Sequence, residues 1–271
     1  MRSDIFLIGG LLFLAGCGGG DNATGEANAA ADAGVANATD VAAPAIEAPK
    51  IDCDAVKPQT APKGEPADDI LGVRQGMTLD QVKGVLQCKN ANYAINTNTN
   101  TLSLPEGGQM SRINLNADTG LDKVNVWLVG PPGGEQVVHV DRATEYAAGQ
   151  EIALESITQE LAAKYGSFDA PYGNNSGLIV RSRDGQRMSK DNSSYGECSN
   201  HDVRTDRVLP CLNVVTFEVK PSQQNPALAS GFGVAVTNQA RVAQMAELTR
   251  QQQTQAVERA KETAKEKGLE L

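Results

Sequence analysis

The chain is poor in aromatic side chains: one Trp, five Tyr and five Phe make up 4% of its 271 residues. It has two histidines, which leaves little material for a histidine-based catalytic or metal centre. Basic residues are outnumbered, 24 Lys and Arg against 33 Asp and Glu, for a formal net charge of −9. That balance removes the phosphate-neutralising surface a nucleic-acid binder needs, so no nucleic-acid partner is expected. There is no C-x-x-C, and no Walker A, G-x-G-x-x-G, G-x-S-x-G, S-x-x-K or H-E-x-x-H pattern. We therefore expect neither an enzyme nor a bound cofactor.

No apolar run reaches the roughly 20 residues that cross a bilayer as a helix. What stands at the start is shorter: Met1 to Cys17 reads MRSDIFLIGGLLFLAGC, with Arg2 ahead of an apolar stretch from Ile5 to Leu14. That stretch is about 15 Å long as a helix, the layout of a secretory h-region. Leu14-Ala15-Gly16-Cys17 resembles the bacterial lipobox. The resemblance implies cleavage after residue 16, a diacylglycerol thioether on Cys17 and an acylated amino terminus, enough for stable anchoring to a membrane. Gly18 follows where that family uses Asp for inner-membrane retention, so the implied location is the outer membrane, facing the periplasm. Residues 17–50 are rich in Ala, Gly, Asn and Asp and lack aromatics, so they cannot bury enough surface to order themselves. They read as a disordered tether with a reach on the order of 30 Å.

Beyond Cys17, four cysteines remain: Cys53, Cys88, Cys198 and Cys211. An even number in an exported chain points to disulfides. Three pairings are compatible with four cysteines; each flanking one local stretch favours Cys53–Cys88 and Cys198–Cys211. Loop-closure entropy gives each roughly 3 to 4 kcal/mol. Neither His139 nor His201 has metal-ligand spacing to a cysteine pair, so no metal site is expected.

Residues 51–237 carry the folding signals. Thr78 and Gln81 form a T-x-x-Q capping box with Met77 and Val82 as its hydrophobic staple, which predicts a helix over 79–88. Strands follow at 111–116, 123–129 and 137–140, the last two joined by Pro131-Pro-Gly-Gly134 as a hairpin. Trp127 falls on the strand face opposite Val126, which predicts a second packed surface. A second helix is expected from Ile152 or Ser156 to Tyr165, with a Ser156–Gln159 capping box and Gly166 as its stop. Strands at 178–183, 212–220 and 232–237 complete an α+β domain with antiparallel sheet, in the order helix then strands, twice. Sub-units of 51–149 and 150–237 would follow from that repetition.

The segment Leu71-Gly-Val-Arg-Gln-Gly-Met-Thr-Leu-Asp-Gln-Val82 resembles the helix start of the small outer-membrane lipoprotein family SmpA/OmlA, the BamE-like fold. A tandem α-β-β-β version would be similar to the β-lactamase-inhibitor-protein fold, and Gly130–Val138 with Ala163-Lys-Tyr-Gly166 is similar to exported proteobacterial proteins that bring no known activity. These resemblances imply a non-enzymatic envelope role, with outer-membrane assembly as one form of it. A proteinaceous inhibitor of a periplasmic enzyme, or an envelope hydrolase with an unrecognised site, are the alternatives.

Residues 238–271 lack Pro, and their Ala, Gln, Glu, Lys and Arg predict a long helix capped by Asn238. Val242, Met245 and Leu248 form its apolar stripe, so its first third should dock and the rest project, either as a solvated tail or as a partner-binding, weakly coiled-coil element. Asp191 to Asp202 has the outline of a calcium loop, but Tyr195 replaces an oxygen ligand and Cys198 lies within it. A surface loop stapled by Cys198–Cys211 is the simpler reading. Arg204, Arg207 and Tyr195 of that loop, with Trp127, are the candidate contacts for an envelope protein partner.

Overall fold

Helix α1 (Leu79–Lys89) begins where the capping signal places it: the Thr78 N–H donates to Gln81 Oε1 at 2.8 Å, and Met77 and Val82 are both buried. A computed structural model describes residues 51–105, 107–169, 175–199 and 203–267. Cys17, the lipobox and the tether of residues 18–50 lie outside the described residues, as do His201 and Asp202. Ahead of α1, β1 (Asp69–Ile70) and β2 (Val73–Arg74) form a minimal hairpin. Its two turn residues, Leu71 and Gly72, both have positive φ, the mirror-image turn that matches strand twist. A side chain at Gly72 would meet Pro58 Cβ at 2.5 Å, so only glycine fits there.

The other strands make one antiparallel sheet in the order β3-β4-β5-β6-β10-β9-β8. These are β3 (Ala94–Ser103), β4 (Gln109–Asp118), β5 (Asp122–Gly130), β6 (Gln136–Glu145), β8 (Ser176–Ser182), β9 (Cys211–Pro221) and β10 (Leu228–Asn238); the two-residue β7 (Ile152–Ala153) pairs with the end of β10. β3 carries no apolar alternation and is not anticipated from the sequence; β4 extends beyond the expected 111–116 at both ends. Helix α2 (Leu154–Tyr165) starts at Leu154, two residues before Ser156, so the Ser156–Gln159 box is not its cap; Gln159 Nε2 bonds Glu155 Oε1 instead, at 3.0 Å. Gly166 ends it with φ 95°, as expected.

One face of the sheet packs on α1 and α2. Ile113, Leu115 and Ala117 of β4, Val124, Val126 and Leu128 of β5, Val215, Phe217 and Val219 of β9 and Val234 and Val236 of β10 meet Val82, Val85, Leu86, Ile157, Leu161 and Tyr165 in a continuous core. Six aromatics, Tyr93, Tyr146, Tyr165, Phe168, Phe217 and Phe232, lie in or against this cluster. The opposite face carries two smaller clusters. Met110, Val129 and Val138 pack beneath the start of α4 (Gln239–Glu266), while Leu178, Val180 and Val214 pack beneath Met188, Tyr195, Cys198 and Leu209. A register shift between Trp127 and Leu128 leaves Val138 as an extra residue in β6, which puts Val137 on the same face as Val140, three residues on, and Val138 in the opposite cluster.

Both favoured disulfides form, Cys53–Cys88 and Cys198–Cys211. The first ties the amino-terminal segment to the last turn of α1, where Val56 Cγ2 lies 3.2 Å from a Cβ built on Gly84. Asn238 caps α4, its Oδ1 accepting from the Arg241 N–H at 2.8 Å. The docked stripe of α4 is Gln239, Val242, Met245, Ala246 and Thr249. Leu248 is 36% exposed, which corrects the expected stripe: spacing of three and four residues from Val242 selects Met245, Ala246 and Thr249 and leaves Leu248 outside the contact arc. Beyond Gln253, whose Nε2 donates to the Gln109 carbonyl at 2.8 Å, the helix side chains are nearly all exposed.

Candidate functional site

The stapled loop is held from beneath. The short helix α3 (Tyr195–Cys198) sinks Tyr195 to 9% exposure, where its hydroxyl donates to Asp169 Oδ2 at 3.2 Å. Burial, with the neighbouring Asp169 carboxylate, pushes that phenol up to about 12. Tyr195 is thus an anchor of the loop, and Cys198 beside it is bonded to Cys211 at the start of β9. Glu197, one residue before, is left outside and takes Arg207 Nη1 on its Oε1 at 2.8 Å. The disulfide therefore positions a carboxylate, and the carboxylate positions an arginine.

Arg204 bonds Asp206 through both Nε and Nη2, at 2.8 and 2.6 Å. This guanidinium holds the Asp206 carboxyl down to about 2. The same segment faces α4 across a groove of about 230 Å³ lined by Pro105, Arg204 to Val208, Val242, Ala243, Ala246 and Arg250. Its floor is small and apolar. Its rim is ionic but internally paired, since Arg250 also meets Glu247, at 2.7 Å. Val208 stands 67% exposed at its edge, the most exposed large apolar residue described. Arg204 and Arg207, expected together from the sequence, are brought together here. Pro105, Ala243 and Ala246 are not apparent as site residues from the sequence, because none carries chemistry of its own and each comes from a distant part of the chain.

Trp127 is elsewhere, half-buried against the α4 cluster on the same sheet face. The Arg112 guanidinium lies 5.6 Å from its ring centroid and the His139 ring 4.5 Å from it. His139 closes a ladder of side chains across four strands. Asn116 Nδ2 donates to Asn125 Oδ1 at 2.7 Å, Asn125 Nδ2 to Asp141 Oδ1 at 2.9 Å, and His139 Nε2 lies 3.2 Å from Asp141 Oδ2. His139 Nδ1 lies 2.8 Å from Thr237 Oγ1. Hydroxyl, imidazole and carboxylate in series have the wiring of a nucleophilic relay. Thr237 is fully buried and His139 is 3% exposed, so no substrate carbonyl can approach that hydroxyl in this arrangement. The ladder instead satisfies the buried polar groups of the strands it crosses.

A second groove, of about 420 Å³, runs between Pro131 and Pro132 of the β5–β6 turn and Thr249, Gln252, Gln253, Gln255, Ala256 and Arg259 of α4. Neither groove is lined by His139, Asp141 or Thr237. Among the described residues no three His, Cys, Asp or Glu side chains group as metal ligands would, and no helix is long and apolar enough to cross a membrane. No protein-family model, curated protein or solved structure matches the chain.

Proposed function

We propose that the chain is a lipid-anchored periplasmic lipoprotein of the outer membrane, held through Cys17, whose α+β domain binds a protein partner of the cell envelope without catalysing a reaction. The groove between the stapled loop and α4 carries this reading. An apolar floor inside a rim of already paired charges suits a protruding apolar side chain of a protein, because nothing charged is left bare when water is expelled. The lipobox-like Leu14–Cys17 and the two local disulfides support an exported setting. The repeated order of helix then antiparallel strands supports a tandem, BamE-like ancestry, with outer-membrane assembly components as the expected partners.

Replacement Cys17→Ala should move the protein from the membrane fraction to the soluble periplasm; retention in the membrane would overturn the anchor. A photo-crosslinking residue at Val208, in intact cells, should capture a defined envelope protein. Equal capture from an exposed site on the far end of α4, such as Val257, would overturn the groove as the contact. The inhibitor reading would use the stretch of sheet between α4 and the stapled loop, where Trp127 is the single strand aromatic among the described residues; six aromatics lie in or against the core on the other face, which favours the groove.

A further inference from the structure

The sheet has two edges, and they are treated differently. The edge of β8 is covered by the chain's own segments: Asp169 and Leu178 exchange both backbone hydrogen bonds at 2.9 Å, the Ser182 N–H donates to Gln186 O at 2.9 Å, and the Met188 N–H to Val180 O at 2.8 Å. Among the described residues the edge of β3 has no such cover. Its ten residues, AINTNTNTLS, contain no charge and no proline, and pair with β4 in one unbroken register from Ala94–Asp118 to Ser103–Gln109. Charge, proline, bulges and covering segments are the usual means by which an edge is closed to further pairing, and among the described residues the outer edge of β3 has none of them along 95–101.

The phase of the ladder says which groups are exposed. The Leu104 N–H donates to Gly108 O at 3.1 Å, so the even-numbered residues of β3 point their backbone groups at β4 and the odd-numbered ones point outward. Ser103 O, the last outward carbonyl, accepts from Thr205 Oγ1 at 3.5 Å. The outward N–H and C=O groups of Ile95, Thr97, Thr99 and Thr101 have no backbone partner among the described residues.

We propose that this edge pairs with β3 of a second copy of the chain, antiparallel about a two-fold axis normal to the sheet, joining two eight-stranded sheets into one. The sequence is self-complementary for that geometry. A two-fold normal to the sheet keeps each face on its own side, so residues opposite one another are both even-numbered or both odd-numbered. Within 96–101 that sets Asn against Asn on one face and Thr against Thr on the other in every such register. Asn side chains both donate and accept, and cross-strand Thr pairs are favourable, so like meets like without repulsion. The absence of charge matters most here, since a Lys or Glu near the middle of the strand would lie opposite or diagonal to its own copy across the two-fold. The seam is short and polar, below the size of a standard stable interface, so the association is weak and concentration-dependent.

The test is sedimentation velocity on the purified full chain in a mild detergent over a wide concentration range, for the native chain, the double variant Thr97→Pro/Thr99→Pro, and Asn98→Lys. The prolines remove only outward donors and leave the ladder to β4 intact; the lysine sets like charges across the seam with no demand on the backbone. The native chain should shift from monomer to dimer as concentration rises, with both variants weaker by about tenfold or more. Hydrogen exchange at Thr97 and Thr99 should slow as the dimer forms. A native chain monomeric throughout, or variants that associate as strongly as the native chain, would overturn the pairing. Because the readout is self-association, it stands or falls separately from membrane anchoring through Cys17.

Discussion

The two faces of the sheet are built from the same strands and by different means. One is closed by α1 and α2 over an unbroken aliphatic and aromatic core; at its margin Asp122, part-buried, accepts from Arg142 Nε and Nη2, from Thr144 and from Tyr93. The other is covered in two separate places, by the first turns of α4 and by the stapled loop, with the Asn116–Thr237 ladder between them. Stability is concentrated on the first face. The second keeps grooves, loose charge pairs and a projecting helix end, which is where contact with other molecules costs the fold least.

Truncating one fully buried side chain on each face compares them directly. Leu86→Ala in α1 should cost about 4 kcal/mol, and Met245→Ala in α4 about 2 kcal/mol, because the latter lies in the smaller cluster beside an open groove whose lining can relax. Urea denaturation measures both, and equal losses would break the contrast. Next, Cys198→Ser with Cys211→Ser should cost about 3 kcal/mol by loop-closure entropy. Its local signature should be faster proteolysis within 183–210, with exchange protection of α1 and α2 unchanged.

A smaller effect, on the first face, concerns pH. Burial alone would raise the Asp122 carboxyl, but its bonds from Arg142, Tyr93 and Thr144 outweigh that and hold it below its usual value. A carboxyl depressed in the folded state contributes stability above the unfolded value, about pH 4, and loses it as pH falls through the folded value. Asp122→Asn should therefore cost about 2 kcal/mol at neutral pH and flatten the acid limb of the stability profile. Last, Val208→Asp should change stability by no more than about 0.5 kcal/mol, yet weaken partner capture at the groove. A destabilisation as large as that of Leu86→Ala would show that the groove is core and not surface.

The first face was largely legible in the sequence, since its elements announce themselves: a capping box at Thr78–Gln81, alternation through Val124, Val126 and Leu128, and again through Val215, Phe217 and Val219. β3 was not, because its two faces alternate Asn with Thr; neither is apolar, and only its ladder to β4 makes it a strand. Leu248 misled for the converse reason, being apolar at a helical spacing that falls just outside the arc where α4 touches the sheet. In the candidate site, Arg204 and Arg207 could be picked out as charges on a loop closed by cysteines. The groove they border could not, because its floor is alanine and valine from α4, and the pairing of His139 with Thr237 spans 98 residues.

β10, the last strand among the described residues, lies inside the sheet, between β6 and β9, with Val236 opposite both Val140 and Val215. As the polypeptide emerges from its amino-terminal end, the β3–β6 meander can close on itself early, since every pairing in it is local. The sheet then waits, with an open edge on β6 and another on β9, until residues 228–238 arrive to fill both at once. During that interval the unfinished molecule offers three unsatisfied edges, those of β3, β6 and β9, in place of the one on β3. Completion is therefore a single late event, and a chain stopped before Leu228 would lack the one strand that hydrogen-bonds β6 to β9.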